Sequence, residues 1–339
     1  MTNTQPSTGL AADEREGKFL ADIQSENADT RYNAWVKAGE MGPQVVPELG
    51  RLLNADNPGI AKAAEEALKV HVHSAAKEWN SERRKAVMKA LLILIGGSQP
   101  RKTRVAAVRH LSTIGDAEAL PPVAKLIEDK NLREEAVFCL ERIPGEASTQ
   151  VLMDTLASTP DEFKPRVIAA LGHRKDERAV GVLAQAMGSG NVAISIPAMK
   201  AVARIGTEPQ GDVELPDFES LSQRDKAAYV DSWLRYLEAQ IQRGNPGDAE
   251  ETYAGLLNYS EREHFQCAAI VGLQSIASTN AVSAVLPKLK SDFHTVRETA
   301  RKALIAMKGP AVDQTLKDAL QTAEGDDKKT LEAIIEARK

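Results

Sequence analysis

Aromatic residues are scarce in this sequence, 4% of 339 positions, and cysteines number only two. With so few rings, a core must be built from small aliphatic side chains, which suits closely packed helices better than sheets. Alternating runs of Val, Ile and Thr are missing, and with them the mark of half-buried strands. No apolar run approaches the ~20 residues of a membrane span; the longest, ALLILI at 90–95, is bounded by Lys89 and Gly96. Cys139 and Cys267 lie far apart, and neither has a Cys or His partner at metal-ligand spacing, so both read as small buried hydrophobes. His71 and His73, two apart, point to different sides of a helix and make a poor metal pair. Walker-type glycine loops, a dinucleotide fingerprint and G-x-S-x-G are absent. No cofactor is expected and no residue is assigned a catalytic role. The start, MTNTQPSTGLAADEREGK, lacks the basic head and apolar centre of a secretory signal, so a cytoplasmic location is expected. A net charge of −5 gives no global attraction to nucleic acid.

What is present is repetition. Between 104 and 145 one pattern occurs twice, as Arg104, Ala107, Leu111, Ile114, Gly115 and as Arg133, Ala136, Leu140, Ile143, Pro144. Steps of seven, four and three residues follow one helical face. With the central Leu as anchor, equivalents are Ala38, Leu68, Leu111, Leu140, Leu171, Val202, Leu273 and Leu304. Four residues before each stand Ala34, Ala64, Ala107, Ala136, Val167, Ala198, Ala269 and Ala300, as expected where another helix approaches closely. Seven before stand cations in several copies, often preceded by an acid: Asp29 and Arg31, Asp129 and Arg133, Asp161 and Lys164, Asp292 and Arg297. Such pairs tie the turn entering a helix to its start, or to the neighbouring repeat. A turn and a second apolar-faced segment follow each anchor, with Pro47, Pro121, Pro122 and Pro287 in opening turns, where a missing N–H is harmless. The fold expected is all-α, an α-α superhelix of HEAT/armadillo-type solenoid.

The spacing from Arg104 to Gly115, followed by Asp116-Ala-Glu-Ala-Leu-Pro-Pro-Val-Ala-Lys-Leu-Ile127, resembles a bacterial HEAT repeat of the subtype first associated with phycobilin lyases. The resemblance covers about 28–206 and 262–324. It implies the fold; scaffolds, lyases, a hydroxylase and DNA repair proteins share the repeat. The iron-dependent deoxyhypusine hydroxylase is marked by His-Glu dipeptides, and none occurs here. HEAT-type DNA glycosylases use a basic groove, unlike this acidic chain. Trp35, Trp79 and Trp233 read as packing residues rather than a chromophore cradle.

The anchor spacing, close to thirty residues, breaks twice. A gap of 43 between Leu68 and Leu111 implies a lengthened first helix at 60–77 with its partner at 81–95. A gap of 71 between Val202 and Leu273 holds 208–219, with five acids and no Lys or Arg, read as an exposed loop. After it, Trp233, Gly244, Ala249, Tyr253 and Leu256 resemble one tetratricopeptide repeat, from which Tyr236, Leu237 and Gln240 depart. The organisation expected is a disordered 1–12, a solenoid over 13–206, an acidic loop at 207–221, a tetratricopeptide-like pair at 222–260, and repeats with a capping helix over 261–339. Phe19, Leu20 and Ile23 at one end and Leu331, Ile334 and Ile335 at the other supply half-polar caps.

From 80 to 110 eight cations face one acid, Glu82. Arg83, Arg84, Lys85, Arg101, Lys102 and Arg104 are the candidate partner-binding residues. The alternatives are a solvated face balanced by acidic neighbours, a site for an acidic protein partner, and, least favoured, a nucleic-acid contact. The function expected is a non-enzymatic scaffold for protein partners, with a phycobilin-lyase-like or chaperone-lyase role and nucleic-acid binding as alternatives.

Overall fold

The computed structural model describes residues 8–78, 81–210, 213–244, 247–258 and 263–338, excepting the side chains of 8–12, 219, 247 and 248. Trp79, Gly211, Asp212 and the first seven residues of the expected disordered segment lie outside them. Among the described residues the regular structure is helical throughout, and no helix is long and apolar enough to cross a membrane. The chain divides into two compact units, Met1–Ala179 and Val180–Lys339.

In the first unit the helices are α1 (Thr8–Ile23), α2 (Ala28–Trp35), α3 (Val45–Leu52), α4 (Pro58–Ala76), α5 (Glu82–Leu94), α6 (Arg101–Ile114), α7 (Leu120–Lys125), α8 (Arg133–Arg142), α9 (Glu146–Ser158) and α10 (Lys164–Arg174). From α2 onward, first and second helices of each repeat alternate. Two of the first helices, α2 and α4, start at residues that satisfy their orphan N–H groups. The Asn27 side chain accepts from the N–H of Asp29 and Thr30, at 2.8 and 3.0 Å, and Asn57 accepts from Gly59 at 2.8 Å with Pro58 as first helical residue. The break near residue 80 takes the expected form: α4 runs nineteen residues, and Ser81 caps α5 through the N–H of Arg84.

Every anchor is buried: Leu68, Leu111, Leu140 and Leu171 are fully enclosed, as are Ala64, Ala107, Ala136 and Val167 four residues earlier. The first anchor differs, because α2 stops at Trp35 and Ala38 lies in a 3₁₀ turn, still fully buried. Of the acid and cation pairs, Lys164 meets Asp161 within its own turn at 2.7 Å, whereas Asp129 takes Arg104 from the preceding first helix at 2.9 Å. The Asn131 N–H, and then Arg104, hold the Asp129 carboxyl below its ordinary range. Arg31 ties its turn through main chain, donating to the carbonyls of Ser25 and Glu26.

His71 is enclosed, its Nδ1 2.9 Å from the Ala38 carbonyl, while His73 is exposed. His110, where α6 packs on α4, is pushed down to about 4 by burial, with His73 adding to the effect. The unfolded chain therefore takes up this proton first as pH falls, so the stability His110 contributes is complete above about 6.5 and lost between there and about 4. His110→Gln is expected to reduce the acid loss of stability across that window by on the order of 1–2 kcal/mol. Urea melts of both proteins at pH 7 and pH 4.5 measure it; identical losses would exclude this assignment.

The second unit comprises α11 (Val180–Met187), α12 (Val192–Ile205), α13 (Gln223–Gln242), α14 (Gly247–Leu256), α15 (Glu263–Ile276), α16 (Thr279–Val285), α17 (His294–Ala306), α18 (Pro310–Thr322) and α19 (Gly325–Ala337). One core joins Tyr253, Ile270, Leu273, Val282, Leu304, Leu316 and Ile334. Tyr253 lies flat on Gly272, where any Cβ would collide with its ring, so α14 approaches α15 as closely as backbone allows. Arg297 repeats the turn tie of Arg31, donating to the carbonyls of Ser291 and Asp292.

Candidate functional site

The six candidate cations of the 80–110 stretch collect where several helices end, and most donate to main-chain carbonyls there. Carbonyls at a helix C-terminus have no intrahelical partner and carry the negative end of the dipole, so cations gather on them. Lys102 donates to the carbonyl of Leu53, just past α3, at 2.6 Å. Arg84, 5% exposed, donates to that of Ala76, the last residue of α4, and burial pulls its guanidinium below its ordinary value. Arg104 reaches the carbonyl of Ile95 after α5, besides Asp129. Arg83 holds the Gly39 carbonyl, Ser74 Oγ and Glu78. Lys85 pairs with Glu82, and Arg101, exposed, lies 3.5 Å from the Asn131 carbonyl. The positive charge counted in the sequence is thus largely drawn into the joints between helices, leaving Lys85 and Arg101 with the freest charge of the six.

At the second break the structure forms an apolar pocket of about 220 Å³. Met187 of α11 and Met199, Val202 and Ala203 of α12 make its floor; Trp233 and Tyr236 of α13, ring centroids 5.8 Å apart and edge to face, make one wall. Ser232 adds no polarity, because its hydroxyl donates to the Ala228 carbonyl at 2.8 Å. The facing wall is the loop after α12, through Pro209, Val213 and Leu215, with Glu208 exposed at the rim. Gly206, with φ of 78°, turns the chain out of α12 into this loop, a conformation a side chain would strain. The Glu214 carbonyl lies over Gly188 beyond α11, and Phe218 packs on Tyr229 of α13 with centroids 5.5 Å apart. The loop is held at both ends. On the opposite face of α13 a broader depression of about 580 Å³ is bordered by Leu234, Glu238, Ile241 and Val271.

The sequence reading found the loop's acids but not its wall. The missed signal is short: Val213 and Leu215 flank Glu214, a two-residue spacing that in an extended segment turns the two apolar residues one way and the acid the other, before Phe218 opens a 3₁₀ turn. Equally missed are Arg174, Arg243 and Arg338. Arg174 donates to the carbonyls of Leu140, Glu141, Ile143 and Gly145 at the end of α8; Arg338 does the same for Leu304, Ile305 and Met307 after α17; Arg243 takes that of Ile205 beside Gln240 on Gly206. Of the cysteines, Cys139 is enclosed and burial pushes its thiol up to about 12, while Cys267 is half-buried. Among the described residues no three His, Cys, Asp or Glu side chains are placed to hold a metal ion.

Residues 88–164 match the family model for HEAT repeats. The chain is similar along 98% of its length to a chain in the structure in which Kap95p binding induces the switch loops of RanGDP to adopt the GTP-bound conformation, at 13% identity and a TM-score of 0.51. It spans about half, 51%, of that chain. An engineered protein aligns over 95% of this chain and 98% of its own at 20% identity, with a TM-score of 0.40. Human deoxyhypusine hydroxylase in complex with glycerol aligns over 80% and 99% at 17% identity, with a TM-score of 0.34. No curated protein matches the chain. The fold is an all-α superhelical repeat, within which residues 88–164 match HEAT repeats.

Proposed function

We propose that this chain is a cytoplasmic, non-enzymatic scaffold that binds a protein partner, with its contact centred on the break in the array after α12. The observation that carries this reading is the surface pocket there: apolar walls, a tethered loop and one rim carboxylate suit holding a partner's side chain and supply no acid and base pair or nucleophile. The fold is one that in Kap95p engages another protein, RanGDP. At about 220 Å³ the pocket is smaller than the roughly 300–1,000 Å³ of ordinary small-molecule sites, which argues against a tetrapyrrole as its occupant. The capture of Arg83, Arg84, Lys102 and Arg104 by internal groups argues against nucleic acid, and leaves Lys85 and Arg101 as the residues through which an acidic partner would meet the first unit.

Cross-linking of tagged full-length chain in native lysate, followed by quantitative mass spectrometry, tests the proposal. At least one protein is expected above a tag-only control, with cross-links mapping to residues 187–236. A folded chain that enriches no protein would overturn the scaffold reading.

A further inference from the structure

The pocket after α12 has an electrostatic character that narrows its occupant. Among the described residues that line it there is no Lys, Arg or His, and the single charge is the Glu208 carboxylate. Glu214, on the same loop, is exposed and adds negative charge beside the pocket. Arg243 adjoins the rim, its guanidinium engaged by Thr207 Oγ1 at 2.9 Å and the Ile205 carbonyl at 2.8 Å, and other neighbouring cations are directed elsewhere. Lys200 and Arg235 meet Asp231 on the other face of α13, at 3.7 and 2.9 Å from its carboxylate to Lys200 Nζ and Arg235 Nε, and Lys226 sits over the Phe218 ring at 5.1 Å. Among the residues that line the pocket, an acidic partner side chain would meet the Glu208 carboxylate and no cation.

Within that rim the walls are soft and apolar. Two methionine thioethers and Val202 line a slot that accepts unbranched methylenes, and methionines adapt to chains of differing shape. Trp233 and Tyr236 present aromatic surface, which attracts a cation through the ring quadrupole. A side chain with a methylene stem and a cationic head satisfies all three parts together: stem against Met187, Met199 and Val202, head between the aromatic pair and Glu208. The volume admits one such side chain and leaves no space for a second.

We infer that this pocket anchors a basic segment of a protein partner by a single arginine or lysine side chain, with a neighbouring cation of the segment meeting Glu214. This rests on the scaffold reading for its biological sense, while the site itself is tested separately. The full chain labelled with 5-fluorotryptophan gives a fluorine resonance for Trp233, assigned by its loss in Trp233→Phe. Octa-arginine amide is expected to shift that resonance saturably and octa-glutamate to leave it in place. N-acetyl-arginine amide at millimolar concentration is expected to shift it further than N-acetyl-leucine amide.

Two variants on the exposed loop separate the pocket from general attraction to an acidic protein. Glu208→Gln is expected to weaken octa-arginine binding about fivefold, and raising salt from about 50 to 300 mM to weaken it further. Val213→Phe, which fills the slot and leaves the charge unchanged, is expected to abolish the Trp233 shift, with circular dichroism showing both variants folded. A shift equal for the arginine and leucine amides, or one indifferent to both variants, would overturn the inference. Partner capture with Trp233 silent overturns the site alone; a Trp233 shift in a chain that captures no protein overturns the scaffold and keeps the site.

Discussion

Arg174→Ala is expected to lower the stability of the first unit by about 2–4 kcal/mol, one of the two largest effects that the structure singles out. The side chain ends α10, yet its guanidinium reaches back to the end of α8, where NH1 lies 3.1, 3.0 and 2.7 Å from the carbonyls of Leu140, Glu141 and Ile143. Nε and NH2 add Thr149 Oγ1 at 2.8 Å and the Gly145 carbonyl at 2.6 Å. Hydrogen bonds from a charged donor contribute more than neutral ones, and their loss leaves carbonyls beside enclosed side chains without a partner. The Leu140 carbonyl keeps the Ser148 hydroxyl, so the damage falls mainly on Ile143 and Gly145. Arg174→Lys should recover only part of the loss, because an ammonium cannot span five acceptors set around a planar fork. Urea melts followed by circular dichroism measure both; a change within about 0.5 kcal/mol for the alanine variant would show that water replaces the guanidinium.

The second large effect is expected at the anchor itself. Leu140 is fully enclosed at the centre of α8, which packs on α6, α9 and α10, so Leu140→Ala should cost about 2–5 kcal/mol through lost transfer energy and the cavity left behind. Ala136→Leu tests the same contact from the opposite direction: no space surrounds the buried Cβ of Ala136, and overpacking should cost about 1–3 kcal/mol. In stacked repeats each element depends on its neighbours. Amide exchange is therefore expected to quicken across α6 to α10, with α15 to α18 in the other unit unchanged. Uniform quickening across both units would mean that they unfold together.

The contrast between these two residues shows what the sequence carried. Leu140 was legible because burial on one helical face imposes a period, and the period survives in eight copies down to Leu304. Ala38 was placed correctly as buried and wrongly as helical, since burial leaves a period and a 3₁₀ turn leaves almost none. Arg174 was not legible: its acceptors are main-chain carbonyls some thirty residues upstream, and a carbonyl looks the same whatever residue bears it. The stretch from Arg83 to Arg104 illustrates the same limit, because its charge could be counted while its acceptors, at Gly39, Leu53, Ala76 and Ile95, could not be named. In the pocket the acids of the loop were plain, whereas Met187, Met199 and Trp233 come together only when three helices and a loop do.

A cation that docks on bare main-chain carbonyls asks nothing of the sequence upstream. Any helix ends in such carbonyls, so a segment bringing its own arginine can be spliced after any other. Arg243 does this for the long α13, fastening the additional forty residues onto the end of α12 at Ile205. The joint works like a universal socket. An array fastened this way can gain or lose a unit without its neighbours having to change, and new surface can be inserted where a partner requires it.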